Sequence, residues 1–116
     1  MCILFVEDEE LIRGIMRESL LEAGYEVLDV ANADDALAAI DGRSREFSFL
    51  VTDLHLPGGR DGLSVAHAMR ARFPHVPIVI ATGRPDVLGA ETETFRLLPK
   101  PYGVVDLVRT VAQLRR

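Results

Sequence analysis

Residues 49–57 read Phe-Leu-Val-Thr-Asp-Leu-His-Leu-Pro, an apolar run that meets a single carboxylate, Asp53, and is closed by Pro57. A strand that is apolar on both sides is typical of the interior of a parallel sheet. A carboxylate at the end of such a strand is costly unless it has partners or a chemical role. We therefore interpret Asp53 as the residue around which the chain is arranged, and as a candidate nucleophile for a phosphoryl group.

Length and composition predict one domain, over residues 1–116. With 48% hydrophobic residues the chain is too apolar to be disordered. A net charge of -5 argues against nucleic acid or an anionic membrane as partner. No apolar run approaches the ~20 residues of a membrane span, and Met1 leads straight into a strand without a secretion signal. Because the lone Cys2 also suits a reducing compartment, we expect a cytoplasmic protein.

Hydrophobic patterning outward from Asp53 alternates strands with helices. The predicted strands are residues 2–6, 25–30, 47–52, 78–81 and 95–98. Gly24 is expected to end the first helix, and Asn32 and Asp61 to cap the second and third. The helix expected within residues 84–94 is weakly periodic, so we expect it to be short or poorly ordered. Alternation of this kind predicts an α/β domain, a doubly wound parallel sheet with helices on both faces.

Polar residues follow the carboxyl ends of four of the five predicted strands. In an open α/β sheet these ends meet at one edge, and ligands bind beyond them. The residues are Glu7, Asp8, Asp53, Thr82 and Lys100. Lys100 is the only lysine among 13 basic residues, so a generic surface charge at this position would have been arginine. We expect these five side chains to converge on one site.

The residue types indicate phosphoryl transfer assisted by a divalent cation. Clustered carboxylates at Glu7, Asp8 and Asp53 would repel one another, and a hard cation such as Mg²⁺ would relieve that repulsion. A carboxylate can attack phosphorus to give an aspartyl phosphate, in a step catalysed mainly by positioning and electrostatic stabilisation. Lys100 would neutralise one phosphoryl oxygen, and Thr82 would donate a hydrogen bond to another.

Five motifs carry a family resemblance through their order and spacing. They are Phe5-Val6-Glu7-Asp8-Glu9, Val51-Thr52-Asp53-Leu54-His55-Leu56-Pro57, Asp61-Gly62-Leu63, Ala81-Thr82-Gly83 and Pro99-Lys100-Pro101-Tyr102. With them the chain resembles, over essentially its whole length, the receiver domain of two-component response regulators. The resemblance implies a phosphoprotein of phosphorelay signal transduction. It also implies a flavodoxin-like (βα)5 fold with strand order 2-1-3-4-5.

The resemblance further implies a role for each matching residue. Asp53 is the expected phosphoacceptor, Thr82 the switch hydroxyl and Lys100 the lysine of the family's site, followed by a cis bond to Pro101.

The implied ligands of Mg²⁺ are Asp8 and Asp53, together with Glu7 through water and His55 through its backbone carbonyl. Of these, Asp8 is the direct ligand of the family's acidic pair.

The chain departs from the family pattern in three places, and the first two concern how a signal would leave the site. Leu97 stands where the family usually has an aromatic switch residue. The span 82–100 is shorter than usual by about one helical turn of ~3.6 residues, and the loop 53–62 is one residue longer. The tetrad at residues 80–83, Ile-Ala-Thr-Gly, is similar to the Phe-Ala-Thr-Gly signature of a subgroup of stand-alone receivers.

We expect a phosphoacceptor signalling domain that takes its phosphoryl group from a histidine kinase or a histidine phosphotransfer protein. It would be no enzyme beyond its own phosphorylation and dephosphorylation. Since the last helix accounts for the end of the chain, output is expected through contact with an unidentified protein, or as a phosphate sink.

Two alternatives remain. The first is a small Mg²⁺-dependent phosphohydrolase with an Asp nucleophile, although His55 stands where such enzymes usually carry a second acid. The other is a non-phosphorylated scaffold of receiver shape, which the complete set of acids, Thr82 and Lys100 disfavours.

Overall fold

The computed structural model describes residues 2–42, 46–84, 86, 88, 89 and 94–115. The strands in this part of the chain are β1 (Cys2–Val6), β2 (Glu26–Val30), β3 (Phe49–Asp53), β4 (Ile78–Thr82) and β5 (Arg96–Pro99). The helices are α1 (Glu10–Glu22), α2 (Ala33–Asp41), α3 (Gly62–Arg72) and α4 (Val104–Leu114). The helix predicted within residues 84–94 falls on a segment of which residues 85, 87 and 90–93 lie outside the described residues.

The five strands form one parallel sheet in the order β2-β1-β3-β4-β5. The predicted doubly wound, flavodoxin-like fold is therefore confirmed. β1, β3 and β4 are buried along their whole length, as their continuous apolar sequences predict. β2 lies at an edge and is half-exposed, in agreement with its partly alternating pattern. The register pairs Asp53 with Ala81 and Val6 with Thr52, so the polar ends of the three central strands are neighbours.

The sheet separates two hydrophobic cores, because side chains alternate between its faces along each strand. One core packs against α2 and α3 and contains Leu4 and Leu50. The second packs against α1 and α4 and contains Phe5 and Val51. Both faces of the sheet are covered in this way, and the polar side chains are carried at its carboxyl edge.

The three predicted helix ends are confirmed by their hydrogen bonds and backbone angles. The Asn32 side chain accepts a hydrogen bond from the Asp35 N–H at 2.8 Å, and the Asp61 side chain accepts one from the Ser64 N–H at 3.1 Å. Both residues therefore act as N-caps. Gly24 follows α1 with a φ of 97°, the left-handed conformation in which glycine commonly ends a helix.

Some apolar residues of the helices face solvent. Leu11 and Ile15 of α1 are 82% and 55% exposed. Val105 of α4 is 65% exposed, although it belongs to an apolar pattern at helical spacing. Helical spacing indicates that a residue is part of an apolar pattern, but the width of the buried face is set by the neighbouring elements. Within the described ranges, no helix combines the length and the apolar character needed to cross a membrane.

Gly62, the first residue of α3, lies against the backbone at the end of β3. Its N–H donates to the carbonyl of Leu54 at 2.7 Å. A Cβ added at Gly62 would collide with the backbone carbonyl oxygen of Asp53. Glycine is therefore required at this position by the close approach of two backbone segments.

We expect Gly62→Ala to lower the free energy of unfolding by about 3 kcal/mol, because the added methyl group forces a backbone shift in a packed region. Urea denaturation followed by circular dichroism measures this loss. Gly59→Ala is the matched control, since a Cβ at Gly59 meets no atom within 4 Å. It should stay within about 0.5 kcal/mol of the wild type. Equal stability of the two variants would contradict the close approach.

Candidate functional site

Four charged side chains meet at the carboxyl ends of three strands. Glu7 and Asp8 follow β1, Asp53 ends β3, and Lys100 follows β5. One carboxylate oxygen from each of the three acids lies within 4.8 Å of the other two. The Nζ of Lys100 lies 2.9 Å from Oδ1 of Asp53. The structure thus brings together four of the five side chains that were predicted to converge.

The acids differ in burial, and burial governs their pKa values. Glu7 is 1% and Asp53 2% exposed, whereas Asp8 is exposed to solvent. Burial, and then the adjacent carboxyl of Asp53, raise the pKa of Glu7 to about 7, against the opposing effect of the Glu9 N–H. Burial likewise raises the pKa of Asp53, although the adjacent side chains of Glu7 and Lys100 act in the opposite direction. The two buried carboxyl groups therefore resist carrying two negative charges at once.

The pKa of Lys100 is also shifted by these acids. Burial lowers the pKa of Lys100, but the hydrogen bond and charge of Asp53 outweigh burial, so the net direction is upward. Lys100 therefore remains a cation in contact with Asp53 across the physiological pH range.

Two carboxylate oxygens of the cluster are available for a further ligand. Oε2 of Glu7 accepts a hydrogen bond from the Glu9 N–H at 3.1 Å, and Oδ1 of Asp53 contacts Lys100. Oε1 of Glu7 and Oδ2 of Asp53 are buried and have no hydrogen-bond donor among the described residues. Unsatisfied buried acceptors are costly, and three carboxylates suit a hard divalent cation that prefers oxygen ligands. The residues present therefore fit a metal ion of this kind.

Thr82 lies at the end of β4, with its backbone tied to the lysine. Its carbonyl accepts a hydrogen bond from the Lys100 N–H at 3.0 Å. Its hydroxyl oxygen accepts one from the Arg84 N–H at 2.9 Å. The residue is buried at the predicted edge, while its hydroxyl is engaged by the loop that follows β4.

His55 and the bond after Lys100 complete the predicted set. The side chain of His55 is exposed, two residues beyond Asp53, so it lies outside the acidic cluster. A contribution of His55 through its backbone carbonyl stays a prediction. The Lys100–Pro101 peptide bond is cis, as the resemblance implies.

Arg13 supports the acidic residues, a role that its residue type does not reveal. Its Nη1 donates to the carbonyl of Glu7 at 2.9 Å, and its Nε pairs with Oδ2 of Asp29 at 3.3 Å. Arg17 pairs with the other oxygen of Asp29 at 3.2 Å. Since the sequence contains 12 arginines, arginine at position 13 carries no signal. Its position, one turn into the helix that follows Glu7, is the only sequence feature that suggests this contact.

Comparison with known proteins assigns this chain to a family. A family model described as the response regulator receiver domain matches residues 3–112. The DNA-binding transcriptional regulator NtrC of Salmonella typhimurium is 29% identical over 110 residues, which cover 91% of this chain and 23% of NtrC. The chain thus spans about a quarter of the length of that curated relative.

Solved structures show the same similarity over the whole chain. A response regulator receiver protein from Sinorhizobium medicae is 25% identical with a TM-score of 0.86, covering 98% of this chain and 93% of that one. The response regulator TrrA from Thermotoga maritima, solved in complex with Mg²⁺-BeF, is 27% identical with a TM-score of 0.84, covering 98% of each chain.

In the metal-free protein, Glu7 should make stability depend on pH. Its folded-state pKa of about 7 lies above its ordinary value of 4.5, so the folded state binds the proton more tightly. The free energy of unfolding therefore falls as pH rises through this interval. Between pH 4.5 and 8, we expect the free energy of unfolding of Glu7→Gln to fall by about 2 kcal/mol less than that of the wild type. Denaturant titration in EDTA measures this difference.

The exposed Glu22 offers the control for this experiment. Glu22→Gln should keep the wild-type dependence on pH. A Glu7→Gln variant with the wild-type dependence would show that Glu7 is not the responsible group.

Proposed function

The chain belongs to the response regulator receiver domain family, and from that membership we propose that it is a phosphoacceptor of two-component signalling. It takes a phosphoryl group from a histidine kinase or a histidine phosphotransfer protein onto Asp53. The observation that carries this proposal is the contact of Lys100 with Asp53, at the edge where Glu7 and Asp8 also lie. A buried carboxylate with a cation on one side and two acids on the other is suited to accepting a phosphoryl group.

Asp53 acts as the nucleophile in this proposal. Its carboxylate oxygen forms a bond to phosphorus while the bond from phosphorus to the donor's imidazole nitrogen breaks. The imidazole leaves with the electron pair and takes up a proton. Lys100 is held beside the nucleophile and offsets charge that develops on the phosphoryl oxygens. The Thr82 hydroxyl accepts from Arg84 and retains its own proton for donation to a second phosphoryl oxygen.

The acidic cluster holds Mg²⁺ in this proposal. Asp8 and Asp53 bind directly, Glu7 acts through water, and His55 contributes its backbone carbonyl. Two buried carboxylate oxygens without a donor in the described ranges support this site, as does the similar TrrA protein, which was solved with Mg²⁺-BeF. When bound, the cation would offset the charge of the acids and of the transferred phosphoryl group.

Output follows from a change of charge at a buried position. Phosphorylation makes the end of β3 more negative, at a residue that contacts Lys100. We expect the protein to alter only its own phosphorylation state and to act through contact with another protein, or by drawing phosphate from a shared kinase. His55, where a hydrolase would carry a second acid, supports this reading over turnover of a separate substrate.

Incubation with Mg²⁺ and a small phosphodonor, followed by intact-mass measurement, tests the acceptor. We expect one phosphate adduct on the wild type and none on Asp53→Asn, because the amide cannot attack phosphorus. The exposed Asp41 provides the control, and Asp41→Asn should keep the adduct. A wild type without an adduct would refute the proposal, and steady phosphate release from unrelated esters would favour the hydrolase.

Thermal or denaturant unfolding with and without Mg²⁺ tests the metal site. At about 100 times the dissociation constant, Mg²⁺ should raise the free energy of unfolding by about 2.7 kcal/mol. Asp8→Asn should lose most of this gain, because it removes a charged ligand. Asp34→Asn, on the exposed start of α2, should retain it. A full gain in Asp8→Asn would exclude Asp8 as a ligand.

A further inference from the structure

Arg13 of α1 holds the backbone that carries two of the acids. Its Nη1 donates to the carbonyl oxygen of Glu7 at 2.9 Å, and its Nε pairs with Oδ2 of Asp29 at 3.3 Å. The Arg13 side chain is only 19% exposed, and that of Asp29 is 30% exposed. Because two nitrogens of one planar group are engaged, Arg13 links the residue after β1 to the edge strand β2 in one fixed geometry.

Strand β2 also holds the other backbone group of Glu7. The Glu7 N–H donates to the carbonyl of Val30, the last residue of β2, at 3.1 Å. The N–H and the carbonyl of Glu7 belong to two successive peptide planes, and each plane is rigid. When both planes are fixed against β2, the backbone angles of Glu7 are set. The second plane includes the Cα of Asp8, so the place of Asp8 is set with them.

The first turn of α1 brings Arg13 to this position. The Arg13 N–H donates to the carbonyl of Glu9 at 2.8 Å, which places Arg13 one turn beyond Glu9. The Glu9 N–H in turn donates to Oε2 of Glu7 at 3.1 Å. The start of the helix, the guanidinium and β2 therefore all act on the segment 7–9.

We propose that Arg13 is a positioning residue for the cation site, which holds the backbone of Glu7 and Asp8 so that both carboxylates face Asp53. This inference rests on the proposed function, since it takes Glu7 and Asp8 as ligands of Mg²⁺. Asp29 holds the guanidinium in place, and the guanidinium acts through the carbonyl of Glu7. Outer partners orient metal-binding groups in a similar way in other proteins, and their loss weakens metal binding.

Charge and position predict opposite effects of removing Arg13. A guanidinium repels a cation, so the loss of its charge alone would strengthen the binding of Mg²⁺. The loss of its hydrogen bond to Glu7 would instead release the acidic segment and weaken that binding. Arg17 provides the matched comparison, because it carries the same charge one turn further along α1. It pairs with Glu18 and with the other oxygen of Asp29.

Titration of Mg²⁺ alone into the purified protein, followed by calorimetry, tests the inference. We expect Arg13→Gln to raise the dissociation constant about tenfold, whereas Arg17→Gln should bind Mg²⁺ at least as tightly as the wild type. Denaturant titration in EDTA accompanies it, because a purely structural ion pair would lower the free energy of unfolding without changing the dissociation constant. A folded Arg13→Gln protein with wild-type or tighter binding overturns the inference, as does an equal loss in both variants.

Arg13→Lys is the second variant, and it decides the matter if Arg13→Gln does not fold. It keeps the charge and the apolar stem, so electrostatics alone predicts an unchanged dissociation constant. One ammonium group replaces two nitrogens that face different partners, so we expect weaker binding of Mg²⁺. A folded Arg13→Lys protein with wild-type affinity overturns the inference.

Failure of the proposed function gives a different result. A wild type that binds no Mg²⁺ overturns the cation site and this inference together. A wild type that binds Mg²⁺ but forms no phosphate adduct on Asp53 refutes the phosphoacceptor and leaves the role of Arg13 standing.

Discussion

Two carboxyl groups buried side by side constrain the rest of this structure. Glu7 and Asp53 lie at the ends of adjacent central strands, with almost no access to water. Such a pair is stable only when each negative charge is offset. Lys100 offsets the charge of Asp53 at 2.9 Å, and the raised pKa of Glu7 favours a bound proton on the second carboxyl group when no cation is present. The parallel sheet and the loop after β5 place these three residues together.

Much of the site was predictable from the sequence because strand ends are easy to locate. A buried parallel strand is a continuous apolar run, so the first polar residue after it marks the carboxyl edge. This rule located Glu7, Asp53 and Lys100. The hydroxyl orientation of Thr82 was not predictable, since a rotamer depends on local donors such as the Arg84 N–H. The support that Arg13 gives to Glu7 was hidden for a related reason, because it depends on α1 packing beside β2.

At the position where the family usually has an aromatic residue, this chain has a leucine that packs into the core. Leu97 in β5 is half-buried and packs against the core of α2 and α3. An aromatic ring occurs two residues earlier, at Phe95, which is buried in the same core. The guanidinium of Arg70 lies 5.2 Å from the centroid of that ring, and His67 contacts it edge-to-face. The aromatic contact beside this strand, made by the residue that precedes β5, is therefore with α3.

The alternation of side chains that separates the two cores also divides the site. Asp53 follows Val51 on the face of α1 and α4, whereas Thr82 follows Ile80 on the face of α2 and α3. A single chemical event at one carboxylate is thus adjacent to both layers of the domain. Residues that lie beneath two opposite faces of the domain therefore share the electrostatic environment of one carboxylate.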